Sequence, residues 1–567
     1  MDRQTICPDS SSAETFPLVL GSPRFADPVV EQMSQAQGLA QAWCSALDRM
    51  GAEAAAASAQ GVFAVALQLD AGRRFMATDR FGICTLCWRM VDGQLHVAER
   101  ADTLAKLPGT PPAQVDAQAI FDYLYLHAIP SPRTIFKGVH RLPPGHYGLL
   151  ENGELKIAPY WRPSFEKTRP GSFKALREEF RGILHDSVAT ALAGHRPACF
   201  LSGGTDSSTV AGVAREVSGT APASYSIGFE AQGYDEMAYA RIAAKHFGTQ
   251  HHEYYVTPAD LVKSIPDVAV HYDQPFGNSS SVPAFYCARM AREDGHQRIL
   301  AGDGGDELFG GNTRYAKQTV FGWYEALPST LLEPLLLNRV ARGLPLLRKA
   351  SSYVEQARVP MPDRLQSYNL LQRLGLENVL SDALLAQVDP EAPRHGQAEQ
   401  WARVADGTSL LNKMLAFDWR YTLAENDLPK VIGTAGLAGI EVGFPLLDTR
   451  LLDFSAQLPD DYKLRRLKLR WFFKEALRGF LPDEILTKKK HGFGLPFGVW
   501  AHRDANLHKL ASESLHSLDE RGILRPGFVQ TLLHEHLPAR PGYYGEMIWI
   551  LMMLEQWLQG HAPTFRL

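Results

Sequence analysis

Short apolar and aromatic runs broken by turn residues dominate the first 160 positions. "GVFAVALQLD" at 61–70 and "RRFMATDRFG" at 73–82 alternate in the way half-buried strands do. "CWRMVDGQLHVAER" and "YGLLENGELKIAPYW" each place Asp-Gly or Asn-Gly between two apolar segments, which predicts hairpins. "PVVEQMSQAQGLAQAWCSALDRMG" carries a helical period. The pattern breaks at 162–173, "RPSFEKTRPGSF", where Pro, Ser and charge predict a linker. Beyond it, "KALREEFRGILHDSVATALAG" at 174–194 has apolar residues three and four apart and predicts a helix. Helices then alternate with the short apolar runs "ACFLSGG", "ASYSIGF" and "QRILAGDGG", the signature of a parallel α/β sheet. Residues 315–417 read as mainly helical, and no internal repeat occurs. Two domains are expected, 1–165 and 172–567.

Composition narrows the class. The 567 residues are 45% apolar and 21% charged, ordinary for a globular protein. A net charge of −4 argues against a broad grip on nucleic acid or acidic membranes. Six scattered cysteines (Cys7, Cys44, Cys84, Cys87, Cys199, Cys287) cannot form a disulfide scaffold, so a reducing, cytoplasmic setting is expected. Cys84 and Cys87 form "CTLC" without a second cysteine or histidine pair and are read as strand cysteines. Neither a signal peptide nor a membrane span is expected.

The chemistry concentrates in "FLSGGTDSSTVAG" at 200–212, where an apolar strand end turns into a helix. Glycines let backbone approach a ligand, and loop amides, hydroxyls and a helix N-terminus together cradle an anion. Asp206 is out of place in a purely anion-binding loop unless it holds Mg²⁺ on the same phosphates. The lysine of the common P-loop is absent.

"SGGTDSS" resembles the pyrophosphate loop of the N-type ATP pyrophosphatases. "DQPFGNSSSVPAFYCARMAREDGHQRILAGDGGDELFGG", "EVGFPLLDTRLLDFSAQLP" and "KKKHGFGLPFGVW" resemble, in order, the signatures of the asparagine synthetase family within that group. The resemblance runs from Lys174 to about Trp500. It implies a C-terminal PP-loop ATP pyrophosphatase domain with a parallel sheet and helical additions. Ahead of it stands an Ntn-hydrolase-like, glutaminase-like α+β domain. The ATP β,γ-phosphates would lie on Ser202, Gly203, Gly204, Thr205, Asp206, Ser207 and Ser208. Asp206 and Asp306 would hold Mg²⁺ on the leaving pyrophosphate. Gly302 would let backbone approach the α-phosphate or ribose, and Phe200 and Ile227 would sandwich adenine. Asp303 and Lys490 would serve the transition states, with Lys488 and Lys489 as solvated neighbours. Glu425, Asn426 and Asp427 would handle the amine. The implied reaction is ATP-dependent amide formation through an acyl-adenylate, releasing AMP and pyrophosphate.

Departures from the family pattern qualify this. Glutamine-using members carry a cysteine directly after the initiator Met, with its own amino group as base. Here that position is Asp2, and the glutamine-binding segments are missing. "NGE" at Asn152–Glu154 belongs to the late hairpin turn. A domain without glutaminase activity is expected. Ile432-Gly433 and Gly443 stand where the family has Asp-Arg and Arg, which points to a changed acceptor pocket. Glutaminase-defective relatives include β-lactam synthetases and the macrolactam synthetases that close lasso peptides. A small-molecule or peptide carboxylate is therefore the expected substrate. A peptide-processing partner protein and a homodimer are also expected, but no nucleic acid and no membrane. Asparagine synthesis from free ammonia and a catalytically silent scaffold remain as alternatives.

Overall fold

The structure, a computed structural model, describes residues 16–567 apart from 71, 167, 232, 326–354 and 489–493. Near the N-terminus come β1 (Leu18–Gly21), α1 (Pro28–Gln37) and α2 (Leu39–Ser58). They are followed by β2 (Phe63–Gln68), β3 (Arg74–Thr78), β4 (Cys87–Val91), β5 (Gln94–Ala98), α3 (Ala117–Leu126), β6 (Val139–Arg141), β7 (His146–Glu151) and β8 (Glu154–Pro159). An antiparallel sheet runs β1–β2–β3–β7–β8, and a smaller one runs β5–β4–β6. Alternation along β2 explains the layers. Phe63, Val65 and Leu67 join Trp43 of α2 in one core, while Ala64 and Ala66 join Leu95 and Val97 of β5 in another. Both hairpin turns form as expected. Asp92-Gly93 and Asn152-Gly153 have φ of 48°, 77°, 53° and 79°, the paired positive values that a two-residue turn of the right twist requires.

The larger part is built on β9 (Ala198–Phe200), β10 (Ala223–Phe229), β11 (Gln250–Val256), β12 (Arg298–Leu300) and β13 (Glu441–Gly443). All pair in parallel, in the order β11–β10–β9–β12–β13. Every residue of β10 is buried, as a strand covered on both faces demands. On one face lie α4 (Phe173–Leu192), α5 (Thr205–Ser218) and α6 (Met237–Phe247). On the other lie α7 (Pro258–His271) and α8 (Ser281–Glu293), backed by α9 (Ala505–Glu520) and α10 (Pro541–His561).

The segment read as a linker is anchored. Trp161 and Phe165 pack on Trp419 at centroid distances of 6.3 and 5.4 Å. The two parts share one apolar core that runs from Ile120 and Tyr123 of α3 to Ile548 and Leu551 of α10. Between them Arg141 meets Asp273 at 2.7 Å, and the Tyr123 hydroxyl donates to the Ile550 carbonyl at 2.8 Å. Among the described residues no helix is long and apolar enough to cross a membrane.

Candidate active site

β9 and β12 are neighbours at the centre of the parallel sheet, so the turns after them meet at its carboxyl edge, where ligands of open α/β sheets bind. A cleft of about 1210 Å³ opens there. The turn after β9 delivers Asp206 in the first turn of α5. The turn after β12 delivers Asp306 in the first turn of the short helix Gly305–Phe309. The cap of α5 is Gly204, which has no side chain to bond the helix's first amides.

The side chain that joins the two turns is Arg470. It donates to Asp306 at 2.9 Å and to both oxygens of Asp206, once at 2.7 Å. Its guanidinium is buried and stacks 4.2 Å from the Phe473 ring. Burial opposes its charge, and the carboxylates of Asp206 and Asp306 more than offset that, raising its pKa. A second cation, Lys430, lies 3.5 Å from Asp303 and 3.2 Å from Asp427. Burial raises the Asp303 carboxyl while Lys430 resists. Lys474 also lines the cleft, its pKa lowered first by burial and then by Arg470.

Two glycines are dictated by close approach. A Cβ on Gly302 would stand 2.7 Å from the Ser207 amide nitrogen, and one on Gly305 would stand 2.0 Å from an Asp206 carboxylate oxygen.

The expected residues divide as follows. Phe200, Ser202, Gly204, Thr205, Asp206 and Ser207 line the cleft, as do Ile227, Gly302, Asp303 and Asp306. Gly203 and Ser208 are not among the lining residues. Gly203 has φ +67°, and its underside abuts the Ala240 backbone of α6, while Ser208 is wholly buried. Glu425 is held away from the cleft, accepting hydrogen bonds from the Ser131 amide (3.0 Å) and hydroxyl (2.8 Å) and pairing with Arg420. It faces a second cavity instead. Ile432, Gly433 and Gly443 are not among the residues that line the cleft. Gly433 makes room for the Tyr272 ring and Gly443 for Leu300.

Lys488 is a further correction. It is not a solvated neighbour, because its side chain is only 7% exposed, its ammonium lies 3.0 Å from Glu236, and it reaches the Gly203 carbonyl at 3.4 Å. Lys489 and Lys490 lie outside the described residues. Arg470, Lys474 and Lys430 escaped sequence reasoning. The available signal was cationic residues inside otherwise apolar runs, in "KLRWFFKEAL" and "NDLPKVIG".

A charged cleft at the carboxyl edge of a parallel sheet, walled by carboxylate–cation pairs, has the make-up of an α/β enzyme's active site. The chain belongs to the asparagine synthase family, whose pattern matches residues 179–559. Residues 35–161 match a glutamine amidotransferase domain. The chain is 25% identical over 511 residues to a glutamine-hydrolysing asparagine synthetase of Bacillus subtilis, covering 89% of this chain and 78% of that one. A putative asparagine synthetase of Mycobacterium tuberculosis is 26% identical over 519 residues, 88% and 76% of the two chains. A Penicillium rubens amidase is 25% identical over 488 residues, 78% and 70% of the two chains. The protein is an ATP-dependent ligase of this family.

Proposed function

We propose that the protein forms amide bonds in two steps. A substrate carboxylate attacks the α-phosphorus of ATP. The new O–P bond forms as the bond to pyrophosphate breaks, leaving an acyl-adenylate. An amine then attacks the acyl carbon and AMP departs. The observation that carries this reading is the meeting of the α5 N-terminus, Asp206, Asp306 and Arg470 in one cleft. In this reading the α5 amides take the β,γ-phosphates, and Arg470 and Lys474 balance their charge. Lys488 fastens the loop through Gly203, and Phe200 and Ile227 bracket adenine.

Asp206 and Asp306 suit Mg²⁺. They are hard oxygen donors converging on one cation, and Mg²⁺ takes one or two carboxylates with substrate phosphates. Among the described residues no group of three His, Cys, Asp or Glu could hold a metal alone, so the phosphates would complete its shell. When bound, the ion would neutralise charge on the departing pyrophosphate. Lys490 is proposed as one more cation near the phosphates. Lys490→Met should then slow amide formation strongly at unchanged thermal stability.

We place the domains at 1–165 and 172–567 and assign the first no glutaminase activity. The amine then comes from elsewhere, and a peptide or secondary-metabolite substrate is favoured, lasso macrolactam closure being one example. Asparagine formation from free ammonia is the second reading, favoured by the asparagine synthetases among the relatives. Carboxylate-dependent ATP–pyrophosphate exchange separates them. Exchange with aspartate favours asparagine, and exchange only with peptides favours the first reading. No exchange with any carboxylate rejects the ligase mechanism.

A further inference from the structure

Behind the cleft lies the second cavity, of about 460 Å³, within the roughly 300–1,000 Å³ range of small-ligand sites. Both domains line it. Tyr125 to Ala128 and Pro130 come from the end of α3 and the chain after it, facing Tyr421, Glu425 and Asn426. Thr422 lines both cavity and cleft, and Asn426 of the cavity accepts a hydrogen bond from Asn278 of the cleft. One layer of side chains thus separates the two spaces.

The walls have a particular chemistry. Tyr125, Tyr421 and Phe417 provide flat apolar faces. Gln397 is 1% exposed, and neither its amide nitrogen nor its amide oxygen has a hydrogen-bond partner. A buried amide with both groups unmet is costly, and a ligand offering one acceptor and one donor would satisfy it. A peptide bond offers that pair. At the mouth stand Tyr368 and Tyr543, two of the five large apolar side chains exposed among the described residues. Tyr368 packs near Lys317 and Arg373, 4.4 and 4.7 Å from its ring, and Arg373 also reaches the Tyr543 hydroxyl at 3.5 Å.

We propose that this cavity binds a short peptide segment of the amine-bearing substrate, its backbone amide paired with Gln397 and its side chains stacked on the tyrosines. The proposal rests on the ligase reading for its use of the amine, but the binding can be tested without ATP. An equimolar mixture of tetrapeptides with free amino termini and amidated carboxyl ends serves as probe. Retention by the full chain is read by equilibrium dialysis and mass spectrometry. The parent should retain a subset of sequences. Gln397→Leu and Tyr368→Ala should each weaken that retention at least tenfold. Gln397→Leu should melt no lower than the parent, because it deletes an unpartnered buried amide. If it does melt lower, Tyr368→Ala, at an exposed position, decides. No retained tetrapeptide, or retention indifferent to both substitutions, overturns the proposal. So does an effect of both confined to turnover with ammonium chloride, which would make the cavity a passage. Retention that persists where no carboxylate supports ATP–pyrophosphate exchange supports the cavity and overturns the ligase reading.

Discussion

Arg470 ties together two of the site's carboxylates, and its removal should be felt twice. Arg470→Met strands two carboxylates that share its guanidinium, and breaking such a buried pair costs about 3–5 kcal/mol. The lower end applies here, since both carboxylates are partly solvated. ATP–pyrophosphate exchange should fall at least ~100-fold, with Arg470→Lys recovering part of it. Asp206→Ala and Asp306→Ala should abolish exchange with little loss of fold, and near-normal turnover at saturating Mg²⁺ in either would reject the metal assignment. Lys463 reports on a different force. It is wholly buried beside the Phe165 ring, donating to the Asn412 side chain at 2.8 Å, and burial pulls its pKa from 10.5 to about 7. Between pH 7 and 10.5 the unfolded chain holds a proton there that the folded chain does not. Stability therefore rises with pH across that window, by up to about 1.4 kcal/mol per unit. Denaturant unfolding at pH 7.5 and 9.5 should show this rise, and Lys463→Met should flatten it.

At the scale of elements, the turns after β9 and β12 are packed so closely that a methyl group matters. Gly305→Ala improves helix propensity, yet its Cβ would collide with the Asp206 carboxylate. The expected result is a lower melting temperature, because the displaced carboxylate leaves Arg470, together with at least a tenfold loss of exchange. A variant with full activity would mean that the carboxylate can shift at no cost. The loop at 202–204 is also braced from behind by α6 and by Lys488, which follows the helix Asp483–Thr487. Lys488→Met should raise the KM for ATP about tenfold while leaving the melting temperature within a few degrees, since such a charge-assisted contact is worth about 1.5–3 kcal/mol.

For the whole molecule, the shared core implies joint unfolding. Calorimetry should show one transition, not two. Asp273 is central to the seam, accepting from Arg141 and from the Ala101 amide. Burial works against its charge, and Arg141 and Arg100 outweigh burial, so its carboxyl stays below the usual range. Its stabilising effect is present above pH 4 and is lost as pH falls through that lowered pKa. Asp273→Ala should therefore lower stability by about 3–5 kcal/mol at pH 7, and the difference between variant and parent should shrink as the pH falls below 4. The N-terminal part should not hydrolyse glutamine. Burial raises the Cys44 thiol and pushes that of Cys87 up to about 12, so neither is an activated nucleophile. Glutamate release from glutamine that disappears in Cys7→Ala would refute this.

Local patterns sufficed for the hairpins at Asp92-Gly93 and Asn152-Gly153, for the parallel sheet, and for the loop carrying Asp206. In each case the determinant is a turn conformation, a periodicity or a strand-to-helix junction, all written within a dozen residues. Asp306 was expected from the family resemblance, and it lines the same cleft. The partner of both carboxylates was not legible. Arg470 is 164 residues beyond Asp306, and nothing in "KLRW" marks a guanidinium that must lie between two turns. Gly433 and Gly443 look like emptied positions in a string of residues. In space they are filled by Tyr272 and Leu300, because a missing side chain frees room for whichever neighbour the fold supplies. Lys488 reads as a surface lysine until α6 brings Glu236 to it. The cavity around Gln397 exists only where the two domains meet. Sequence therefore determined the elements and the chemistry at their ends. Which charges pair, and which polar groups are left waiting for a ligand, was decided by packing between residues far apart in the chain.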